Sequence, residues 1–275
     1  MSELTWGRRY LMCPPSYFGV LYEINPWMHT SIAVDPERAL LEWERLVTTL
    51  GRAGAAIERQ TPVDGLPDLV FTANAGLVNG EQFIPAHFSH PERQGETLHD
   101  IEWFTSHDYT VDLLPDGIRH EGAGDALAFG GVLLSGYRYR SEVRAHLALG
   151  ALTGVPVRPV ELVDERLYHF DLTFCPLDER RAMIAPLGWD RYGAAVVSEL
   201  VPEALVLEDE EALAFCANSV VVGDTVVMST CPPRVGRQLE AWGFDVVECP
   251  VGEFLKAGGS CRCLTLALDI SLANS

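Results

Sequence analysis

The sequence lacks the segments that mark membrane, secreted or multidomain proteins. No run of apolar residues reaches the 18 or so that a membrane helix needs. The first residues, MSELTWGRRYLMCPP, contain no apolar core of signal-peptide length. No Gly/Ser-rich linker or low-complexity segment divides the 275 residues. We therefore expect a cytoplasmic globular protein that needs no membrane.

Several cofactor and metal motifs are also absent. No GxGxxG opens a helix, no GxxxxGK[ST] occurs and no CxxC pair is present, which gives nucleotide folds, zinc ribbons and thioredoxin-like sites no support. A chain of this length needs no disulfide scaffold, so its 7 cysteines fit free thiols in a reducing cytosol. We predict no cofactor and no metal.

Positive charge is scarce. Lys plus Arg total 20 against 39 for Asp plus Glu, which gives a formal net charge of −19. Such a chain repels the phosphates of nucleic acids and the surfaces of anionic lipids, so we expect neither as a partner. The charge is explained most simply by a solvated acidic surface, although it also mildly favours cationic small ligands.

What the sequence does contain is a weak repeat of helix, short strand, loop and hairpin. Hairpin turns are predicted at Asn79-Gly80, Gly130-Gly131, near Asp178-Glu179 and at Gly223-Asp224, and positions 79, 130, 178 and 223 are 51, 48 and 45 residues apart. The clearest helix follows Asp35, a suitable N-cap, with Pro36 in its first position. Other helices are predicted near residues 91–104, 141–152 and 191–200, with a last one carrying Val235, Leu239 and Trp242.

The last predicted strand, in CLTLALDI, has no partner next to it in the sequence. The strand in RRYLMCP near the N-terminus is free to pair with it and close a ring. We therefore favour an α/β fold of five ββαβ modules arranged as a ring, forming a single domain over residues 1–275. An open doubly wound sheet is the alternative, because alternating helices and strands fit either fold.

Reactive residues recur with the repeat. Asn74, Glu121, His169, Cys216 and Cys263 each begin or precede a hairpin, at separations of 47, 48, 47 and 47 residues. In a closed ring such positions converge on the axis, which would bring a carboxylate, an imidazole and two thiols to one pocket. These groups suit nucleophilic catalysis. A zinc site is the competing use of the same residue types, but it is disfavoured by the absence of local ligand pairs.

The local sequence strengthens the functional interpretation of Cys263 and His169. Cys263 follows a loop with Gly258-Gly259, which allows close backbone approach. Cys261 could share the face of Cys263, although the repeat favours Cys263. A lone cysteine or histidine is more often a core residue, but His169 and Asp171 alternate along one strand and share a face.

Acidic residues dominate the expected pocket, with no obvious lysine: Asp68, Glu121, Asp125 and Asp171. This composition predicts a cation site. A planar guanidinium, with several N–H donors, matches paired carboxylates geometrically. A cationic substrate would also lower the pKa of a nearby thiol.

Four motifs, FTANAG, HEGAGDAL, YHFD and GGSCRCLTL, resemble the motif set of the guanidine-modifying (pentein) superfamily. This superfamily includes arginine deiminase, dimethylarginine dimethylaminohydrolase, the amidinotransferases and arginine dihydrolase. The motifs run in the right order across almost the whole chain. The resemblance implies a five-bladed α/β propeller with pseudo-fivefold ββαβ modules, in agreement with the repeat.

The resemblance also implies roles for individual residues. Cys263 matches the catalytic thiol, whereas Cys261 does not, and His169 matches the catalytic histidine. Asp171 matches the guanidinium-binding aspartate, and Glu121 matches the acid that heads an EGGD-like motif. Here that motif reads EGAGD, with one extra residue before its last acid.

Further matches concern substrate binding. Arg93 and Arg140 look like the groups that hold a substrate α-carboxylate. The alternative is that both are ordinary surface residues. Deiminases usually carry Asp where Asn74 stands, and FTANAG and INPWM, which contains Asn25, are similar to arginine dihydrolases. The expected substrate-binding set is Asp171, Asn74, Asp68, Asp125, Arg93, Arg140 and Asn25.

The resemblance therefore implies cysteine-dependent hydrolysis of the guanidino group of free arginine through a covalent thiouronium intermediate. Attack on the ureido product would give ornithine, ammonia and carbon dioxide, whereas a single round would release citrulline. Dimethylarginine hydrolysis and amidino transfer are alternatives, as is a non-catalytic ring that binds a macromolecule. The last is disfavoured because the Cys, His and Glu are all present. The expected partner is a guanidino small molecule, and a homo-oligomer is compatible with the sequence.

Overall fold

The computed structural model describes residues 4–272. The helices are α1 (Pro36–Arg52), α2 (Glu96–Ser106), α3 (Ala145–Thr153), α4 (Arg191–Leu200), α5 (Asp209–Leu213), α6 (Pro233–Ala241) and α7 (Gly252–Leu255). The strands are β1 (Arg9–Met12), β2 (Ala56–Arg59), β3 (Gly76–Asn79), β4 (Gln82–Pro85), β5 (Thr110–Val111), β6 (Ala126–Phe129), β7 (Val132–Tyr137), β8 (Val157–Glu161), β9 (Phe174–Pro176), β10 (Arg181–Ile184), β11 (Glu203–Val206), β12 (Val220–Val222), β13 (Thr225–Met228), β14 (Asp245–Glu248) and β15 (Leu266–Ala267).

These strands form five three-stranded sheets of one design. In each sheet an antiparallel pair is extended by a third strand that runs parallel to the middle one. The middle and third strands are joined by a helix, as parallel neighbours require. The sheets are β15-β1-β2, β3-β4-β5, β6-β7-β8, β9-β10-β11 and β12-β13-β14. Repetition of this unit confirms the ββαβ modules and excludes one open doubly wound sheet within residues 4–272.

The two ends of the chain share a sheet. β15 pairs antiparallel with β1, with Tyr10 opposite Ala267 and Leu11 opposite Leu266. This pairing confirms the expectation that the last strand pairs with the N-terminal strand in RRYLMCP. The pairing places Cys263, which precedes β15, beside residues that are far from it in sequence.

The predicted helix boundaries and turns hold with small shifts. Asp35 caps α1, and its Oδ1 accepts from the backbone N–H groups of Glu37 and Arg38 at 3.1 Å each. Gly130 and Gly131 connect β6 to β7 with φ of 59° and 76°, a conformation that favours glycine. The short helices α5 and α7 were not predicted, because four or five residues carry too little apolar periodicity to reveal a helix.

A buried apolar core underlies all five sheets. Trp43 and Leu46 of α1, Phe104 of α2, Leu149 of α3 and Leu239 of α6 are each at most 1% exposed. None of the helices between residues 4 and 272 combines the length and apolar character that a bilayer-spanning helix requires.

Candidate active site

Several of the polar residues singled out in the sequence lie in short segments just before the first strand of a sheet: Asn74, Glu121, His169, Asp171 and Cys263. Single 3-10 turns cover Thr72–Asn74, Gly122–Gly124 and Phe170–Leu172, just before β3, β6 and β9. Cys263 precedes β15 in the same way. The first of these turns contacts the second and also β15, and the second contacts the third, so side chains from distant parts of the sequence lie close together. The prediction that His169 and Asp171 share the face of one strand is wrong, because Asp171 lies in the 3-10 turn and the strand begins only at Phe174.

The turns enclose a narrow cavity. Its volume is about 10 Å³, which is close to the room a single water needs. The residues that line it are Ile24, Asn25, Asp68, Phe71, Asn74, Arg93, Arg140, Tyr168, Ala257, Gly259 and Cys263. Five of the lining residues belong to the predicted substrate-binding set, and Cys263 is the predicted nucleophile. Four other predicted site residues are not among those that line it: Glu121, Asp125, His169 and Asp171.

Cys263 and Asp171 form one side of the site. The Cys263 Sγ lies 3.5 Å from the Asp171 Oδ2, and the two residues are 2% and 0% exposed. Among the described residues, the Asp171 Oδ1 has no hydrogen-bond partner. Burial raises the pKa of Asp171 to about 7, and burial together with this carboxylate raises the pKa of Cys263 well above its usual range. The pair thus offers a cation an unpartnered carboxylate oxygen beside a sulfur.

His169 and Glu121 form a second pair. The His169 Nε2 lies 2.8 Å from the Glu121 Oε2, and the Arg140 Nη1 donates to the same oxygen at 3.1 Å. Burial opposes ionisation of Glu121, but Arg140 and His169 outweigh it and hold its pKa well below its usual range. Burial also lowers the pKa of His169 to about 4, against the pull of Glu121. The structure thus holds a neutral imidazole against a carboxylate, which is suited to carry a proton in a reaction.

Asp125 supports this pair from behind. Its Oδ2 accepts from the Ser141 Oγ at 2.5 Å, and its Oδ1 accepts from the Phe170 N–H at 3.1 Å. The Ser141 Oγ in turn accepts from the Glu121 N–H at 3.0 Å. Asp125 is not among the residues that line the cavity, and both of its oxygens hold the segments that carry Glu121 and His169.

Asp68, Asn74 and Arg93 form the opposite wall. The Arg93 guanidinium makes a two-pronged pair with Glu96, at 2.8 and 2.7 Å, and donates to the Asn74 Oδ1 at 2.9 Å. The Asp68 Oδ2 accepts from the Tyr22 O–H at 3.0 Å, while its Oδ1 has no partner within residues 4–272. Burial raises the pKa of Asp68, against the charge of Arg93. This wall therefore holds a second buried carboxylate with a free oxygen.

Asn25 and Arg140 lie where the segment before α1 meets the cavity. The Arg140 Nη2 donates to the Ile24 carbonyl at 3.0 Å, and its guanidinium lies 4.6 Å over the Tyr168 ring. The Asn25 Nδ2 donates to the Ala257 carbonyl at 3.0 Å. These contacts hold an irregular segment of the chain against the mouth of the cavity.

Two glycines are required by close approach. A Cβ on Gly124 of the EGAGD motif would lie 2.1 Å from the Asn74 Nδ2, and one on Gly259 would lie 2.4 Å from the Phe71 ring. Any larger residue at Gly124 would therefore push Asn74 away from its place beside His169. The predicted close approach of the Gly258-Gly259 loop is also found, since Gly258 has φ of 81°.

The structure corrects the expectation that a second thiol joins the site. Cys216 is absent from the cavity lining, and its Sγ contacts the Thr230 carbonyl at 3.9 Å. Equal spacing along the chain therefore did not bring Cys216 to the cavity. Cys261 is likewise buried away from the cavity, with its Sγ 3.5 Å from the Cys249 carbonyl.

Sequence reasoning missed Asn218. It is fully buried, and its Oδ1 accepts from the Cys263 N–H at 3.1 Å. Its position gave a usable signal, since Asn218 and Asn74 both lie two residues before the first strand of a hairpin.

No arrangement that could hold a metal ion occurs among the described residues, where three or more His, Cys, Asp or Glu never cluster as ligands would.

The comparisons with known proteins match this geometry, although no family model matches the chain. The chain is 41% identical over 263 residues to the bifunctional arginine dihydrolase/ornithine cyclodeaminase AgrE of Nostoc sp.. The match takes in 94% of this chain but 37% of that protein, so the chain spans little more than a third of its length. The chain is also 38% identical to the N(G),N(G)-dimethylarginine dimethylaminohydrolase of Mycobacterium tuberculosis, with 95% of this chain and 86% of that protein covered.

Solved structures give the same result. The N-terminal domain of ArgZ, described as an arginine dihydrolase from the ornithine-ammonia cycle in cyanobacteria, matches with a TM-score of 0.93 and 39% identity. That match covers 96% of this chain and 99% of that one; the ArgZ domain carries a Cys-to-Ser substitution and is bound to substrate. An Asn-to-Ser form of the same domain, covalently bound to a reaction intermediate, also matches with a TM-score of 0.93 at 39% identity, over 96% of this chain and 98% of that one.

Five like sheets, together with a buried cysteine, a buried histidine and several buried carboxylates, fit one class of protein. The chain belongs to the guanidine-modifying (pentein) superfamily, in the family of the mycobacterial dimethylarginine dimethylaminohydrolase and the cyanobacterial dihydrolase domains.

Proposed function

We propose that this chain is a cysteine-dependent hydrolase of the guanidino group of free arginine, giving ornithine, ammonia and carbon dioxide by way of a ureido intermediate. The observation that carries the proposal is the 3.5 Å contact between the Cys263 Sγ and Asp171, whose other carboxylate oxygen has no partner in the described chain. A guanidinium bound by that oxygen would bring its central carbon to the sulfur.

Substrate binding follows from the charges of the two walls. Asp171 and Asp68 each keep one buried oxygen without a partner among residues 4–272, and a planar guanidinium offers N–H donors to both. Arg93, Arg140 and Asn25 would hold the α-amino-acid end of the substrate. Because Arg93 already pairs with Glu96, its role requires it to share or exchange that partner.

The first chemical step forms a carbon–sulfur bond. As it ionises, the Cys263 thiol passes its proton to the neutral imidazole of His169, and the thiolate attacks the guanidinium carbon. The carbon–nitrogen bond to one terminal amine then breaks as the His169 imidazolium delivers that proton to the departing ammonia. The high pKa of the thiol means that the free protein holds it protonated. The substrate cation favours the thiolate by direct attraction, so ionisation is coupled to binding.

The second step releases the product. His169 takes a proton from water, the resulting hydroxide attacks the thiouronium carbon, and the carbon–sulfur bond breaks to give the ureido compound and the thiolate. A further hydrolytic round uses a second water and releases ornithine, a second ammonia and carbon dioxide. We propose that Asn74, whose neutral amide faces the cavity, keeps the ureido intermediate bound for that round.

Entry of arginine requires a movement of the protein. The cavity of about 10 Å³ has no room for a substrate of this size. Its cover includes Ile24 and Asn25, which belong to an irregular segment between β1 and α1. We propose that this segment opens to admit substrate and closes to exclude water.

The remaining parts of the proposal concern architecture and setting. We propose that the five sheets form the blades of a five-bladed α/β propeller and that residues 1–275 are a single catalytic domain. The contribution of successive sheets to one cavity supports both. Seven cysteines without disulfides support a reducing, cytoplasmic setting.

The test compares two cysteines of the same loop. In Cys263→Ser, ammonia release from arginine is expected to fall at least about 10³-fold while arginine still binds in calorimetry. Cys261→Ser, which alters a buried thiol outside the cavity, is the matched control and should keep more than about half of the activity. Equal loss in both variants, or unchanged turnover in Cys263→Ser, would contradict the assignment.

Hydrolysis of methylated arginine is the second candidate. It is favoured by the match to the mycobacterial dimethylaminohydrolase, which covers 86% of that protein. Arginine and dimethylarginine are supplied at equal concentration, and the amino-acid products are separated. Ornithine with ammonia supports the dihydrolase, whereas citrulline with dimethylamine supports this alternative.

A further inference from the structure

Asn218, which the sequence did not single out, connects Cys263 to Asp171. Its Oδ1 accepts from the Cys263 N–H at 3.1 Å, and its Nδ2 donates to the Asp171 carbonyl at 3.2 Å. Its own carbonyl accepts from the Arg262 N–H at 3.2 Å. One residue therefore holds two successive amides of the cysteine turn and the backbone of the guanidinium-binding aspartate.

These bonds determine the distance on which the chemistry depends. Cys263 and Asp171 lie 92 positions apart in the chain, and their side chains meet at 3.5 Å. The hydrogen bonds of the Asn218 amide at 3.1 and 3.2 Å go to the backbone of Cys263 and Asp171. The same amide also partly offsets the rise in the pKa of both side chains, so it lies close to the sulfur and the carboxylate as well. Displacing a reacting group by about 1 Å can lower a rate about 100-fold.

The residue type fits the position. The amide supplies one acceptor and one donor on a single rigid plane, and the two backbone partners allow only one orientation of that plane. Aspartate would keep the acceptor but replace the donor by a second oxygen against the Asp171 carbonyl. It would also place a negative charge beside a thiol that must ionise, which raises the pKa of that thiol.

We propose that Asn218 is a positioning residue for the nucleophile: its side-chain amide holds the Cys263 turn at attack distance from a guanidinium bound by Asp171. The inference rests on the proposed function for the identity of the substrate. It does not depend on which guanidino compound is hydrolysed, because the amide contacts the protein and not the ligand.

The experiment uses three variants of the full chain: Asn218→Ala, Asn218→Asp and Ser219→Ala. Ser219 is the matched control, because it is equally buried in the same turn, and its Oγ donates at 2.7 Å to the Cys216 carbonyl, away from the cavity. Steady-state turnover of arginine gives kcat and KM. Circular dichroism and Tm report whether each variant folds.

A second measurement does not require turnover. 2-Chloroacetamidine carries an amidinium cation that Asp171 can bind and a carbon–chlorine bond that a thiolate can displace. Formation of the sulfur–carbon bond releases chloride, and the thiol proton goes to solvent. Mass spectrometry identifies the alkylated cysteine, and the pH profile of the rate reports the apparent pKa of Cys263.

We expect Asn218→Ala to lower kcat and the alkylation rate about 100-fold with KM within about threefold of wild type. Asn218→Asp should lower both rates at least as much and shift the alkylation profile upward by about one pH unit or more. Ser219→Ala should stay within about twofold of wild type in both assays. A merely structural role would lower Tm without moving the alkylation profile.

The outcomes separate this inference from the proposed function. If arginine is not hydrolysed but Cys263 is alkylated in an Asn218-dependent way, the inference stands and the proposed substrate is wrong. If arginine is hydrolysed and folded Asn218 variants match Ser219→Ala, the inference is overturned. If Asn218→Ala does not fold, Asn218→Asp, which is nearly the same size, decides between these results.

Discussion

The two sides of the cavity hold their buried polar groups in different ways. On the nucleophile side, Asn218 bonds to the backbones of Cys263 and Asp171, and the Cys263 Sγ lies 3.5 Å from the Asp171 Oδ2. On the opposite wall, Arg93 is bound directly by the side chains of Glu96 and Asn74. The first arrangement keeps reactive groups free, whereas the second satisfies a buried charge before any ligand arrives.

The comparison teaches that equivalent positions in a repeat need not do equivalent work. Asn74 and Asn218 both lie two residues before a hairpin, and the Nδ2 of each donates to a backbone carbonyl of another module. Their Oδ1 atoms differ, since one accepts from the Arg93 guanidinium and the other from the Cys263 backbone. Four predictions test this division between the two sides.

The largest effect on activity is expected from Asp171→Asn. Removing the charge that we propose to bind the guanidinium should lower kcat/KM for arginine about 10³-fold, measured by ammonia release. The pKa of Asp171 is raised to about 7, so the folded state holds its proton more tightly than the unfolded state and loses stability as pH rises from 4 towards 7. Above pH 7 the variant should therefore have a higher Tm than wild type, and an inactive variant that is also less stable at pH 8 would argue against this role.

On the opposite wall, Glu96→Gln should act on binding more than on chemistry. It removes the charged partner of the buried Arg93 guanidinium, which should lower the free energy of unfolding by about 3 kcal/mol in denaturant titrations. We expect KM for arginine to rise about tenfold with kcat changed by less than about threefold. A fall in kcat at constant KM would mean that the two sides do not divide the work as described.

A smaller effect is expected from Tyr22→Phe. The change removes the hydrogen bond of 3.0 Å that Tyr22, in the irregular segment between β1 and α1, donates to Asp68. A single hydrogen bond contributes about 1 kcal/mol, so KM should change by about fivefold and kcat very little. Stopped-flow measurement of arginine binding should show faster entry, and unchanged entry would argue that this contact does not hold the cover closed.

The smallest effect on activity is expected from Asp100→Asn, which lies outside both sides. Asp100 is buried, accepts from the Gln60 Nε2 at 2.8 Å, and its pKa is raised by burial to about 7. Turnover should stay within about twofold of wild type. Because the folded state favours the protonated carboxyl, the variant should gain stability over wild type at pH 8 but not at pH 5. An equal gain in stability at pH 5 and pH 8 would contradict the raised pKa of Asp100.

Much of the fold followed from local signals. Asp35 with Pro36 marked the start of α1, and the glycine turns marked the hairpins, because capping and positive φ act over a few residues. The exact register was harder to predict. Cys216 and Cys263 are 47 residues apart, but the Sγ of Cys216 contacts the Thr230 carbonyl, whereas that of Cys263 contacts Asp171.

The residue types at the site, the order of its motifs and the chemistry they allow are properties of the sequence alone. Only the tertiary structure decided which of these groups form hydrogen bonds with one another. The Asn218 Oδ1 accepts from the Cys263 N–H, the Asp125 Oδ1 accepts from the Phe170 N–H, and Arg93 pairs with Glu96. The reason is physical. A motif specifies which donors and acceptors a segment carries, whereas the hydrogen bonds they form depend on distances set by the packing of the sheets.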